Sequence, residues 1–440
     1  KEYKIFGSYG LARNHIPLSI PIIKKYASVL EHLIEEHITP EETNTVLNAV
    51  LNGEKYRYII DIAGSENRER RSNQSDKISD TIVNTRRELS VMIDTLIAGI
   101  ENSKSEFLPE VQHAIDNKTK PLGSLGKLES LAVKCALIQN SLSPKIEKKW
   151  TMVFAADHGI AVEGVSAYPS EVTGQMVINF LNGGAAINTL CKATGAGLSI
   201  VDMGVNADFT DEASIINRKV RKGTSNFTVM PAMAEAEVIL AIEGGISAFN
   251  ELYDKNHVDI MAMGEMGIGN TCSASAITSV ICGIPVSQVT GRGTGVDDVG
   301  LEHKQEVLRK ALAFHNPKPN DALDILSKVG GFEIAGMAGA MIAGACKGIV
   351  IVLDGFISTA AALIAQLLCA ASTDYFIAGH KSVEIGHIAA LNKLGLEPIL
   401  DLDMRLGEGT GATLTMDLAS TAVKLLSGMA SFDEAGISRK

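Results

Sequence analysis

Short apolar runs recur through most of the chain, each ending near a Gly or Asp: Trp150 to Ala156, Leu198 to Met203, His257 to Met263, Gly348 to Leu353 and Leu396 to Leu402. Such runs read as strands buried on both faces. Helical patterns lie between them, and this alternation predicts parallel strands joined by crossover helices. The Gly- and Ala-rich α/β texture begins near Glu106 and continues to residue 440. Residues 1 to about 105 are more charged, poorer in Gly and mainly helical in pattern. There Ile20 to His37 carries Leu30, Leu33 and Ile34 on one side, and Leu89, Ile93, Leu96 and Ile100 share one helical face. Between them Ser65 to Lys77 is a charge-dense exposed loop or linker. The expected organisation is therefore an N-terminal helical region, 1–105, and an α/β domain, 106–440, with no solenoid-like repeat.

A chain of 440 residues, 46% hydrophobic and 21% charged, is long enough for a sizeable core and ordinary for a globular enzyme. Its net charge of −11 argues against a general nucleic-acid binder or an anionic-membrane binder, which need a basic surface. The six cysteines, Cys135, Cys191, Cys272, Cys282, Cys346 and Cys369, show no zinc-like spacing. They read as buried thiols in a reducing compartment, the cytoplasm. No signal peptide is visible, though a chain starting at Lys1 leaves a removed presequence open. Ile334 to Ser372 is the one membrane suspect. Lys347 and Asp354 interrupt it, and Gly348 to Leu353 reads as a buried strand between two helices, so no membrane span is expected.

Candidate chemistry concentrates in two glycine-flanked glutamates. Glu408 sits in Met404-Arg405-Leu406-Gly407-Glu408-Gly409-Thr410-Gly411-Ala412, between the run ending at Leu402 and a predicted helix, Ala412 to Leu426. Glu265 sits in Gly264-Glu265-Met266-Gly267-Ile268-Gly269-Asn270-Thr271, after the run ending at Met263. Glycines permit close backbone approach and leave N–H groups free for an anion. A tight turn would explain either loop alone. Two of them at strand ends predict a cleft lined by a carboxylate pair, because ligands of open parallel sheets bind at the carboxyl ends of strands.

Nucleotide fingerprints of other classes are missing. Val296 and Cys272 stand where a third glycine of G-x-G-x-x-G would be, and Gly123 to Lys127 has the wrong spacing for a P-loop. Gly291-Arg292-Gly293-Thr294-Gly295 still offers an anion cradle with Lys304 on the next helix, against the simpler explanation of a surface turn. Asn270, Thr271 and Ser273 form a second donor cluster at a helix start. His380, Glu384 and His387 fit one helical face but lack the H-E-x-x-H pattern of a metal site. Asp157-His158-Gly159 closes the first apolar run, where His158 is a site candidate or a strand-end histidine with a backbone partner.

Taken together, several segments resemble the nicotinate-nucleotide:dimethylbenzimidazole phosphoribosyltransferase family of cobalamin nucleotide-loop assembly. From about residue 108 to about 432 they are Lys120-Pro121-Leu122-Gly123-Ser124-Leu125-Gly126-Lys127-Leu128-Glu129, Ala156-Asp157-His158-Gly159, the Glu265 segment, Ser327-Lys328-Val329-Gly330-Gly331-Phe332, Leu353-Asp354-Gly355-Phe356 and the Glu408 segment. The resemblance implies a Rossmann-like parallel sheet with helices on both faces, a small helical domain from the two ends of the core, and a homodimer. It implies transfer of phosphoribosyl from nicotinate mononucleotide to 5,6-dimethylbenzimidazole, giving nicotinate and α-ribazole 5′-phosphate. It places the general base at Glu408 and the second active-site carboxylate at Glu265.

Such a base would take the acceptor's ring proton as the other nitrogen attacks C1′, help worth about 10²–10⁴ in rate. No pyrophosphate leaves, so the magnesium motif of ordinary phosphoribosyltransferases is not required, and no metal or cofactor is expected. The acceptor slot resembles the family at Ser166 to Met176, where Tyr168, Gln175 and Met176 fit a flat aromatic base, with Leu406 beside Glu408. Gly267, Asn270, Thr271, Gly291, Gly293, Thr294, Gly295 and Lys304 are the expected phosphate and ribose contacts. Some relatives have Ser where Tyr168 stands, which leaves a benzimidazole, a purine or a phenol open as acceptor. A catalytically silent nucleotide-binding protein, and a hydrolase or phosphorylase using the same cleft, are the alternatives. The family core does not need the extension before residue 105.

Overall fold

A computed structural model describes residues 91, 95–96, 106–209, 214–293 and 295–438. The expectations for Ile20 to His37, for Ser65 to Lys77, for Leu89, Ile93 and Ile100, and for Thr294 lie outside the described residues. Leu96 is helical and half-buried against the main core.

Six parallel strands form one sheet: β1 (Lys149–Ala156), β2 (Gly197–Gly204), β3 (Ile215–Asn217), β4 (Ile260–Met266), β5 (Val350–Leu353) and β6 (Phe376–Ala378). Their order is β3-β2-β1-β4-β5-β6 with all pairs parallel. This is the doubly wound arrangement, whose switch point lies between β1 and β4. Alternate residues of β1 show why both faces are covered. Met152, Phe154 and Ala156 point into the larger core, whereas Val153 and Ala155 join a second core with Val177, Phe180, Ile187 and Cys191. The two ends of the described chain meet beside the sheet. Lys118 bridges Ser431, and the helix Lys127–Ile138 packs on the helix Thr410–Gly428.

Three expectations are corrected. The β4 strand starts at Ile260 and continues to Met266, so Glu265 lies within the strand, paired in register with Phe154, rather than in a loop after it. Pairing with β1 carries the strand through a polar residue that the apolar pattern alone excluded. The run Leu396 to Leu402 is not a sheet strand. Leu400 makes only an isolated bridge to His380, and Pro398 removes a donor that a ladder would need. His380 lies outside the helix Ile385–Leu394, and Glu384 is its cap, so the triplet with His387 shares no helical face. Strands β3 and β6, three residues each, are too short to show a pattern in the sequence.

The former membrane suspect is a buried helix–strand–helix unit, Phe332–Cys346, β5 and Phe356–Leu368. No helix among the described residues is long and apolar enough to cross a membrane. Its glycines serve packing: the long helix Glu235–Asn256 crosses Phe332–Cys346 so closely that a Cβ at Gly245 would run into the Gly336 carbonyl. Gly245→Val should therefore destabilise the protein by about 1–3 kcal/mol through overpacking. Urea unfolding checks this, and an unchanged midpoint would mean that the helices have room to part.

Candidate active site

The two glutamates expected to face each other do meet, through the glycines beside them. A Cβ at Gly264 would come within 2.5 Å of the Glu408 carbonyl, and one at Gly407 would overlap Glu265 Oε1. Only glycine at both positions lets the Glu408 loop lie flat on the end of β4. Gly407, Glu408 and Gly409 all take left-handed backbone, with φ of 86°, 61° and 83°. For a glutamate that conformation is strained, and it persists where surrounding contacts over-determine it.

Both carboxylates are buried, 8% exposed at Glu265 and 5% at Glu408. Glu408 Oε2 accepts from the Ile187 N–H at 3.4 Å, in the first turn of the helix Ala186–Thr194. Burial raises its pKa, the Ile187 amide opposes that rise and the charge of Asp354 adds to it. Glu265 accepts from Asn270 Nδ2. Its pKa is pushed up to about 8, first by burial and then by the charge of Glu333, with Asp354 and Glu408 adding and Asn270 opposing. The site therefore holds two carboxyls of raised proton affinity. A bound cation between them would draw both toward the ionised form.

Two further buried groups underlie this pair. His158 Nε2 lies 2.6 Å from Glu333 Oε1, both side chains fully buried, beneath the Gly267 turn. Asp354 follows β5, and its Oδ1 accepts from the Ala412 N–H at 2.9 Å, at the start of the helix Thr410–Gly428 that carries Glu408 at its entrance. Glu333 does not stand out in the sequence, and Asp354 does so as a charge interrupting an apolar stretch and within a matching segment. The Gly-Gly pair before Phe332 and the Asp-Gly step after β5 were the available signals.

The expected phosphate and ribose contacts divide. Lys304 is 1% exposed, and its Nζ donates to Thr271 Oγ1 at 2.7 Å. Gly293 lies against both groups. Among the described residues no carboxylate forms an ion pair with this buried ammonium, which suits it to an incoming anion. The Gly293 N–H, however, donates to Glu384 Oε1 at 2.9 Å, and the Glu384 carboxylate presses on Gly291. That backbone donor is thus engaged by the protein itself. Asn270 turns to Glu265 rather than toward an anion, Gly267 packs over His158 and Glu333, and Gly295 stays at a φ of 114° in open space.

On the acceptor side, Tyr168 and Leu406 are more than half exposed, Gln175 is exposed, and Met176 packs half-buried on the second core. The helix of Gln175 and Met176, Glu171–Leu181, is tied to the turn after β4, where the Ile268 N–H donates to Thr173 Oγ1 at 3.1 Å. Sequence reasoning missed that threonine, because a tertiary contact defines its role. His387 is buried, accepts from the Ser382 N–H at Nδ1 and contacts Thr359 Oγ1. Burial, with the His380 charge, lowers its pKa to about 3. Among the described residues no group of three or more His, Cys, Asp and Glu is arranged to hold a metal.

Residues 100–437 match a family model described as phosphoribosyltransferase. A relative from Roseiflexus sp. (strain RS-1), named nicotinate-nucleotide--dimethylbenzimidazole phosphoribosyltransferase, is 54% identical over 325 residues, covering 74% of this chain and 92% of the relative. The chain belongs to the nicotinate-nucleotide:dimethylbenzimidazole phosphoribosyltransferase family. A Geobacter metallireducens (strain ATCC 53774 / DSM 7210 / GS-15) relative of the same name is 49% identical over 354 residues, with 80% of this chain and 99% of that one covered. The crystal structure of CobT from Thermus thermophilus superposes with a TM-score of 0.73 at 42% identity, covering 76% of this chain and all of that one. The family region thus contains the whole carboxylate cluster, whereas most of residues 1–105 falls outside the family match.

The raised pKa of Glu265 makes stability depend on pH. The native state holds this proton from the ordinary value of 4.5 up to about 8, so the contribution is complete below 4.5 and lost as pH rises through 8. Glu265→Gln, permanently neutral, should unfold at nearly the wild-type temperature near about pH 5 and increasingly above it toward about pH 9. Thermal unfolding across that range checks the sign, and a pH-independent difference would contradict the assignment.

Proposed function

We propose that this protein transfers the 5-phosphoribosyl group from nicotinate mononucleotide to 5,6-dimethylbenzimidazole, releasing nicotinate and α-ribazole 5′-phosphate. The observation that carries the proposal is the convergence of Glu408 and Glu265 on the carboxyl end of β4, beside the switch point. The substrate's glycosyl pyridinium is a cation, and a buried carboxylate pair of raised proton affinity suits it. As the acceptor's free ring nitrogen bonds to C1′, the C1′–N bond to nicotinate breaks and its electron pair stays on the departing ring. The proton on the acceptor's other nitrogen passes to Glu408. Attack from the face opposite the leaving group turns the β-nucleotide into the α-product.

Lys304 and Thr271 are the proposed phosphate contacts, and Tyr168, Gln175, Met176 and Leu406 the proposed walls for the acceptor. The exposed apolar surface of Tyr168 and Leu406 suits a flat aromatic partner. We further propose a homodimer acting in the cytoplasm. Its six free thiols fit a reducing compartment, and light scattering of the purified protein tests the dimer. Residues 1–105 are proposed to be accessory to this reaction.

Incubating the protein with nicotinate mononucleotide and 5,6-dimethylbenzimidazole, adenine, phenol or no acceptor, followed by mass analysis, tests the reaction. An α-ribazole phosphate in the benzimidazole tube is expected. Nicotinate released equally without acceptor would mean a hydrolase, and none in any tube a silent binding protein. Glu408→Gln should bind the nucleotide normally yet lose about 10²-fold or more in kcat; near-normal turnover would remove Glu408 as the base. A chain lacking residues 1–105 should remain folded and active, and an inactive truncation would show that the extension serves the site.

A further inference from the structure

Glu408 is held in a conformation that a glutamate does not choose unaided, and a buried carboxylate just past β5 grips the start of the helix it enters. Asp354 Oδ1 accepts from the Ala412 N–H at 2.9 Å, and the amides of Gly411 and Gly409 lie on the same side, where they offset the cost of burying this carboxylate. These are orphan donors of the first turn of Thr410–Gly428, so Asp354 caps the helix at the point where Glu408 enters it. Behind the cap stands His380, with Nε2 3.7 Å from Asp354 Oδ1 and its ring filling the space beside Gly411. Both side chains are 2% exposed. Asp354 Oδ2 and His380 Nδ1 are buried without a hydrogen-bond partner. Buried polar atoms left unpaired cost stability. That cost is carried at the point where Glu408 enters its helix.

We infer that Asp354, with His380 behind it, is the positioning residue for Glu408: it fixes the backbone that carries the glutamate and supplies the negative charge the glutamate faces. This rests on the reading of Glu408 as the proton acceptor. The groups involved are few. Glu408 faces the Ile187 amide, Asp354 and Glu265. Asp354 faces His380 and the start of the Thr410 helix, where it accepts from the Ala412 N–H. His387 lies 6.2 Å from His380 ring to ring, and its lowered pKa keeps it neutral. Glu265 in turn faces Glu333, the partner of His158. Burial raises the pKa of Asp354 itself, and the His380 charge and the helix amides oppose that rise. The negative charge on Asp354 in turn makes Glu408 a stronger proton acceptor than it would be beside a neutral group.

Asp354→Asn separates the two contributions, because the amide oxygen still accepts from Ala412 while the charge is gone. Full-length protein labelled with carboxyl-¹³C glutamate, with the Glu408 signal assigned by its loss in Glu408→Gln, reports the titration of Glu408 directly. In Asp354→Asn the midpoint should fall by about half a pH unit or more, the acid limb of the kcat profile should move with it, and kcat should drop about tenfold with KM for nicotinate mononucleotide little changed. Asp354→Ala, which removes the cap as well, should also speed hydrogen exchange at the amides of 409–412. An unshifted Glu408 midpoint in Asp354→Asn would overturn the inference, as would failure of that variant to fold. Because the midpoint is read without turnover, an active Glu408→Gln would defeat the general-base reading while the carbon titration still decided this one.

Discussion

Four carboxylates, Glu265, Glu333, Asp354 and Glu408, are buried at one end of the sheet, where an isolated charge costs several kcal/mol. Each is answered by the start of a helix. Glu408 accepts from the first turn of Ala186–Thr194, Asp354 caps Thr410–Gly428, and Glu333 lies in the first turn of Phe332–Cys346 with His158 as partner. Glu265 is held by Asn270, the first residue of Asn270–Cys282. A doubly wound parallel sheet makes this possible, since its crossover helices begin at the strand carboxyl ends and direct their unpaired N–H groups there. The compensation is incomplete. Burial raises the pKa of Glu265, Asp354 and Glu408, and for the two glutamates neighbouring carboxylates add to the rise.

That residual cost matches the proposed chemistry. A site short of positive charge binds a cationic nucleotide and stabilises charge building at C1′, while its raised proton affinity favours taking a proton from the acceptor. Lys304, buried beside Thr271, is the positive group proposed to meet the phosphate. The glycines enforce the geometry more than they bind. Gly264 and Gly407 allow the Glu408 loop to touch the end of β4, and Gly245 allows two helices to cross closely.

Much of this was legible in the chain. The apolar runs located β1, β2, β4 and β5, and the glycine-flanked glutamates pointed to the buried carboxylate cluster at the end of β4. The resemblance named a family that the relatives share. What the pattern misjudges has local reasons. Glu265 reads as a loop residue because a polar side chain ends the apolar count, although ladder pairing with β1 continues past it. Leu396 to Leu402 passes for a strand because the pattern weighs hydropathy over Pro398. The cradle at Gly291 to Gly295 shows its glycines but not the distant Glu384 that takes the Gly293 amide.

The sequence by itself determined the fold class and the residue types of the chemistry, because burial periodicity, glycine placement and turn chemistry act over a few neighbouring positions. Tertiary structure alone decided which groups meet. Asp354 lies 54 positions before Glu408 and His158 lies 175 before Glu333. Nothing in local spacing encodes such contacts. They arise only when parallel strands far apart in the chain are laid side by side, and proton affinity, which depends on burial and on neighbouring charge, is set at that moment.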